Sequence, residues 1–362
     1  MTFLLDDEQR EFGRTLDRLL GAADTAGAVR AWAADDTGPG RKVWQRLADT
    51  GVFALAVPEE YGGVAPNGHE GVAPEAHGDA GLLFVELALS FVELGRHAVP
   101  GPVVETVASA TLLRRLGDPA LSRRWLPGIA TGGRLVSYAD ETHGPYALDA
   151  ATADTTFVIV DDRLLRAAGQ GPVQPSLDPA RRLARPRLDG EVLASGPEVR
   201  AAAAHAADVA TFLTAAQALG VGRRLLADTV TYAQQRKQFG VAIGSFQAVK
   251  HRLADALLAL EFAQPLVFAA AVALAGGERR ACGDVAAAKV AAGEAAYGAA
   301  RAALQLHGAV GYTEELDLSL WIRKARALRS AWGTPSACRA RALENIDFLG
   351  ALHQLEAQPF HK

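Results

Sequence analysis

Cysteine and methionine are almost missing from this chain: two Cys and one Met in 362 residues. Cys282 and Cys338 form no CxxC pair, and no His/Cys spacing suits a metal. A disulfide framework, an iron–sulfur cluster and a structural zinc are therefore excluded, no metal site is expected, and both thiols read as ordinary buried helix residues. Concentrated charge is missing as well. The 37 Lys and Arg face 41 Asp and Glu, a net charge of −4, and the arginine pairs at 123–124, 181–182 and 223–224 are short and scattered. Nucleic acid needs a continuous basic surface, so it is not an expected partner, and each pair reads as a solvated face. The apolar stretch 266–275 is too short to cross a bilayer, and the N-terminus turns acidic at Asp6-Asp7-Glu8, unlike a signal peptide. These absences describe a soluble, reduced, cytoplasmic protein with no membrane partner. Its 49% hydrophobic content is enough for more than one domain-sized core.

What is present divides into three zones. Residues 1–131 read as helical. Phe12, Leu16, Leu19 and Leu20 share a helical stripe behind a possible N-cap at Asp6, and helices are also expected over 43–51, 82–94, 106–116 and 121–129. The Gly-, Pro-, His- and Glu-rich run to Gly81 reads as a mobile loop. Residues 132–200 carry β-rich runs at 134–138, 155–160 and 191–194 among many prolines, a small, truncated β domain. Residues 201–362 are Ala- and Leu-rich, with stripes such as Val209, Phe212, Leu213, Ala216 and Leu219, and predict a bundle of long antiparallel helices. The small residues at 285, 288, 292, 295 and 299 allow close helix approach, so the helix over 284–306 is expected to be largely buried, partly between subunits.

The third zone carries motifs. Tyr-Ala-Gln-Gln-Arg-Lys-Gln-Phe-Gly spans 232–240, followed by Ile-Gly-Ser-Phe-Gln at 243–247 and His-Arg-Leu-Ala-Asp at 251–255. Gln-Leu-His-Gly-Ala-Val-Gly-Tyr-Thr-Glu-Glu spans 305–315, with Arg-Lys-Ala-Arg at 323–326 and Gly333-Thr334 beyond. Together with Pro-Glu-Glu-Tyr-Gly-Gly at 58–63, these blocks resemble the acyl-CoA dehydrogenase family over nearly the whole chain, most weakly in the middle. The resemblance implies a mainly α fold with a central β domain: an N-terminal helical domain, a small β-barrel-like middle domain and a C-terminal four-helix bundle. It also implies FAD as cofactor. In the family these blocks hold the ADP half of a neighbouring subunit's FAD. Carried over, Arg236, Gln238 and Phe239 face the pyrophosphate and ribityl region, Gln247 with Gln305, Leu306, His307 and Gly308 faces the adenosine side, and Phe246 and Thr334 belong to the same cofactor set. A pyrophosphate needs a fixed cation and nearby donors, and Arg236 sits where a helix runs out into Gly240. Taken singly, each residue has a plainer reading: Arg236 a surface helix cap, the two phenylalanines core, and the Gly308–Gly311 pair a helix end.

The departures from the family are as informative. The reaction removes a proton beside a thioester, so a carboxylate base is required. In most members a Glu precedes the Gly-Thr pair; here Trp332 stands there. Other members place it on an earlier helix, which by spacing falls at Ala210, with Thr211 where an Arg usually contacts substrate. No carboxylate occupies either position, so no catalytic residue is assigned. The middle block that covers the flavin ring is reduced at 137–144 to a similarity at Glu141. This pattern resembles one class within the family, actinobacterial heterotetramers that pair a catalytic subunit with a degenerate paralogue, two copies of each, and act on bulky steroid-derived acyl-CoA thioesters bound mainly by the catalytic partner. Two further readings remain open: a self-sufficient homomeric oxidoreductase with a relocated base at Asp208, Asp140 or Glu141, and a non-enzymatic scaffold. For Asp208 the plainer reading is a helix N-terminal residue.

Overall fold

The computed structural model describes residues 5–64, 82–278 and 280–345; most of the Gly/Pro-rich loop expected before Gly81 lies outside them. Three helices lead: α1 (Asp7–Gly21), α2 (Thr25–Ala33) and α3 (Gly38–Asp49). Asp6 caps α1 as expected, accepting from the Gln9 amide at 2.8 Å while the Gln9 side chain accepts from the Asp6 amide. Helices α4 (Phe84–Arg96), α5 (Val103–Leu116) and α6 (Pro119–Ala130) complete the first zone. Every residue of α5 from Val103 to Leu113 is buried. A helix buried on every side is an interior helix, and this one buries Glu105, Thr106, Ser109 and Thr111 along with its apolar residues.

The strands are β1 (Val136–Asp140), β2 (Ala147–Leu148), β3 (Thr155–Val160), β4 (Arg163–Arg166), β5 (Leu183–Ala184) and β6 (Glu191–Ser195). They form a four-stranded sheet in the order β1-β3-β4-β6 and a two-stranded ribbon of β2 with β5. β1 runs parallel to β3, and the other pairs are antiparallel. Tight packing joins the sheet to the helices before it: the Trp125 ring meets Phe157 edge-on at 5.2 Å.

The remaining chain is helical: α7 (Pro197–Gln235), a hairpin of β7 (Lys237–Gln238) with β8 (Val241–Ala242), then α8 (Gln247–Ala275), α9 (Ala281–His307), α10 (Leu318–Leu328) and α11 (Pro335–Glu344). α7 is the central pillar and touches α4, α5, α8, α9 and α10. Its approach to α4 needs two glycines: a Cβ on Gly95 would lie 2.0 Å from the Gln217 carbonyl oxygen, and one on Gly220 only 1.8 Å from that of Val92. α9 buries its Ala-rich faces between α7, α8, α10 and α11. By length and composition α8 is apolar enough to cross a membrane, a longer run than its last ten residues suggest. One face packs on α7 and α9, while Leu257, Leu258 and Phe262 remain exposed, Phe262 at 73%.

Several expectations change. Arg182 is no solvated residue: it is buried, ion-paired with Asp35 at 2.6 Å and bonded to the Thr152 hydroxyl. Cys338 is buried as expected, but Cys282 is half-buried and contacts the Asn345 side chain. Asp208 is not at a helix N-terminus; it lies about three turns into α7, paired with Arg341 at 2.9 Å.

Candidate functional site

Two separate centres emerge. The first is an arm beyond the end of α7. The helix stops at Gln235, and Arg236 leaves it with extended backbone (φ −73°, ψ 121°) while its N–H still bonds the Tyr232 carbonyl at 2.8 Å. Two residue pairs of β7 and β8 then close on the turn Phe239-Gly240, with φ values of +54° and +80°. Two positive φ angles in a two-residue loop are the geometry of a type I′ hairpin. Glycine accepts this freely, but a bulky aromatic does so at a cost, and such strain persists where a side chain must be presented. Phe239 is presented fully, 92% exposed, with the Phe246 ring edge-on to it at 6.3 Å. Arg236, Gln238 and Gln247 are exposed on the same arm.

The second motif block folds against this arm. The His307 ring stacks on Tyr232 at 4.0 Å between centroids, and its Nδ1 lies 2.8 Å from the Ala303 carbonyl. His307 is thus buried and ties the two blocks together. Gln305 is exposed and accepts from Arg252 on α8, Leu306 is half-buried, and Gly308 turns the chain with φ +63°. Thr334 lies apart from the arm, where its hydroxyl caps α11 by accepting from the Ala337 amide. Beside the arm, α8 and α9 leave a groove of about 710 Å³ lined by Ala259, Phe262, Leu266, Ala295 and Gly298 among others.

The second centre surrounds Trp332, the position to which the sequence resemblance assigns a base. Trp332 adopts φ +52° and is half-buried. Its indole N–H donates to Glu105 Oε1 at 3.0 Å, its ring lies flat on Tyr138 (5.4 Å, 9°), and His143 stands against it at 5.4 Å. Its carbonyl accepts from the Thr211 hydroxyl at 2.8 Å, and Ala210 beside Thr211 is fully buried. The two positions that sequence spacing picked out therefore converge, and neither brings a proton acceptor. Glu105 was missed. Its signal was a lone carboxylate in an otherwise apolar helical run; burial raises its pKa, against the pull of Arg181 and the Trp332 hydrogen bond.

Asp140, Glu141 and Asp208 line a neighbouring cleft of about 540 Å³ with His143, Arg200 and Arg341. Asp140 is committed to the Thr142 amide and hydroxyl, at 2.9 and 2.7 Å, and Asp208 to Arg341. Among the described residues, Asp17, Glu93 and His97 also bring ligand-type atoms within 4.8 Å of one another. Arg96 already pairs with Glu93 at 3.3 Å and approaches Asp17 at 3.9 Å, and His97 Nε2 lies 2.9 Å from Asp17. That group is held together as an ion-pair cluster, although Glu93 Oε2 is buried without a hydrogen-bond partner.

Comparison with known proteins agrees with this architecture. The family model for the acyl-CoA dehydrogenase C-terminal domain matches residues 200–345, and that for the N-terminal domain matches residues 6–70. The chain is 32% identical to acyl-CoA dehydrogenase IpdE2 of Mycobacterium tuberculosis over 88% of its own length and 91% of that protein. It is 33% identical to FadE34 of the same organism, over 91% of this chain and 46% of the relative. Among solved structures, a variant of the Tcur3481-Tcur3483 steroid ACAD superposes with a TM-score of 0.79 at 23% identity, covering 95% of this chain and 99% of that one. The ChsE4-ChsE5 complex from Mycobacterium tuberculosis gives 0.77 at 23%, covering 99% and 100%. On the helical zones, the matched domains and the near full-length relative, this chain belongs to the acyl-CoA dehydrogenase family.

Proposed function

We propose that this chain is the non-catalytic subunit of a cytoplasmic, heteromeric FAD-dependent acyl-CoA dehydrogenase. It assembles with a paralogous catalytic chain, two copies of each, and the acyl-CoA is held mainly by the partner. The observation that carries this reading is a pairing: a cofactor arm held out to solvent on a strained hairpin, and a base position filled by Trp332. An aromatic tip 92% exposed buries almost nothing against its own chain. The exposed apolar face of α8 and the adjoining groove supply a surface on which a partner bundle would pack.

The residues fit FAD in part. Arg236 supplies a permanent cation for a pyrophosphate, and Gln238, Gln247 and Gln305 supply amide groups, all exposed. At the other end, Trp332, stacked flat on Tyr138, occupies the space that a base and an acyl chain need. The bound cofactor supplies hydride acceptance in the dehydrogenation of a thioester. This chain's part is to hold the ADP half through Arg236 and its neighbours, and to keep its own half-site closed. A bulky, steroid-derived acyl group is the substrate class, a reading that draws on the steroid enzyme among the structural relatives.

A second reading, a self-sufficient homomeric enzyme, draws on the three carboxylates at one cleft, but two of them are already committed. Flavin content separates the two. Purified alone, the chain should be colourless or nearly so and should gain one FAD per heterodimer with its partner. Stoichiometric FAD on the lone chain would favour the second reading.

A further inference from the structure

The seam between α1 and α4 brings Asp17, Glu93 and His97 together, with ligand-type atoms within 4.8 Å of one another. The group shares no residue with the cofactor arm or with the surroundings of Trp332. Its ion pairs leave Glu93 incomplete: the residue is 9% exposed, and its Oε2 is buried with no hydrogen-bond partner. A carboxylate oxygen taken out of water without a partner costs free energy, and a bound cation would offset that cost. We propose that Asp17, Glu93 and His97 are the ligands of a zinc ion that clips α1 to α4.

The donor set selects the metal. One imidazole and two carboxylates are zinc ligands, and three protein ligands leave a fourth position for water. Calcium and magnesium call for a larger, all-oxygen shell. The two carboxylates also balance the charge of a divalent ion. Zinc bonds of about 2.0–2.2 Å set tetrahedral ligand atoms about 3.3–3.6 Å apart. His97 Nε2 now lies 2.9 Å from Asp17, and no separation exceeds 4.8 Å, so small side-chain rotations reach that geometry. The backbone is already fixed. Glu93 and His97 lie one turn apart on one face, and between them Gly95 meets the Gln217 carbonyl while the Arg96 carbonyl accepts the Trp321 indole at 2.9 Å. Asp17, with its side chain 43% exposed, gives the ion a way in. Arg96 is the competitor. Its guanidinium lies 3.3 Å from Glu93 and 3.9 Å from Asp17, brings a single charge, and is exposed enough to swing into solvent. Arg223 and Arg224, the next nearest cations, are held by Glu261 and Asp228. Sequence spacing could not show the site, because its ligands come from two helices far apart in the chain.

The inference stands apart from subunit assembly, and its test needs neither flavin nor turnover. The full chain, first stripped with a chelator, is titrated with Zn²⁺ against a chromophoric zinc indicator and with Co²⁺ while its visible absorption is read. The expected result is one ion per chain, a Co²⁺ band of the intensity that low coordination gives, and a urea midpoint that rises with zinc and falls again with chelator. Glu93→Gln, His97→Ala and Asp17→Asn should each weaken zinc binding at least about tenfold. Arg96→Gln should tighten it about tenfold, because a competing positive charge is gone; a cluster that is only an ion pair would show no such gain. Cys282→Ser should change nothing, which separates this site from a stray thiol. If a variant at Glu93 or His97 does not fold, Asp17→Asn and Arg96→Gln decide. Absence of stoichiometric binding, binding indifferent to the Asp17 variant, or binding no tighter in Arg96→Gln would each overturn the proposal.

Discussion

Arg236 has a cation on an extended backbone, forms no ion pair among the described residues, and is exposed. Its contribution should therefore appear only where another chain's cofactor is present. Arg236→Ala should leave the fold intact and weaken FAD retention in the complex about tenfold or more, since a charge-assisted hydrogen bond contributes about 1.5–3 kcal/mol. Arg236→Lys should recover only part, because an ammonium is a point donor and not a fork. Flavin released on dilution of the complex measures both, and unchanged retention in the alanine variant would count against the assignment. Trp332 is the opposite case, a residue tied inward through Glu105, Tyr138 and Thr211. Trp332→Glu should not confer turnover on the isolated chain, because the ring-side contacts at 137–144 differ as well. Both positions were legible in the sequence because they sit at fixed spacings from unmistakable neighbours, Gly333-Thr334 and Phe239-Gly240. Glu105 was not, because a single acid within an apolar helix has no spacing to read; only its burial reveals it.

At the scale of elements, α4 and α7 approach so closely that backbone meets backbone at Gly95 and Gly220. Gly220→Ala should destabilise the protein by about 1–3 kcal/mol or more, since the clash is with a carbonyl oxygen and not a movable side chain. Urea denaturation measures it, and a loss below about 0.5 kcal/mol would mean that the helices can separate without penalty. Long elements were readable: α7, α9 and β3 carry unbroken apolar patterns, and β3 was expected at its observed bounds. Short elements were not. α2 has nine residues, four of them Ala and one Gly, too few large side chains to draw a stripe. β4 is Arg-Leu-Leu-Arg, with its two leucines buried as neighbours instead of alternating. The β7–β8 hairpin is only two residue pairs long, so its I′ turn became visible only through the φ angles of Phe239 and Gly240.

At the scale of the whole molecule, indole N–H groups join the three zones. Trp32 donates to Asp149 at 2.8 Å, Trp44 to the Gly132 carbonyl at 2.9 Å, Trp321 to the Arg96 carbonyl at 2.9 Å and Trp332 to Glu105 at 3.0 Å. Asp149 makes the seam sensitive to pH. Burial raises its pKa from 3.8 to about 7, so the folded state holds a proton that the unfolded state releases. The resulting stability is fully present below about pH 4 and is lost as pH rises through about 7, by up to about 4 kcal/mol for a shift of roughly three units. Asp149→Asn keeps an acceptor for Trp32 and should flatten stability between pH 4 and 7 and raise it at pH 8, as read by urea denaturation across that range; an unaltered pH slope would contradict the shift. The central claim is that chemistry and cofactor holding are divided between two chains. The most direct test is steady-state turnover of an acyl-CoA with a flavin electron acceptor, using this chain alone, the catalytic partner alone and the two mixed. Robust turnover is predicted only for the mixture. Robust turnover by this chain alone, with FAD bound in a homo-oligomer, would contradict the account and turn attention to Asp140, Glu141 and Asp208 as the source of a base.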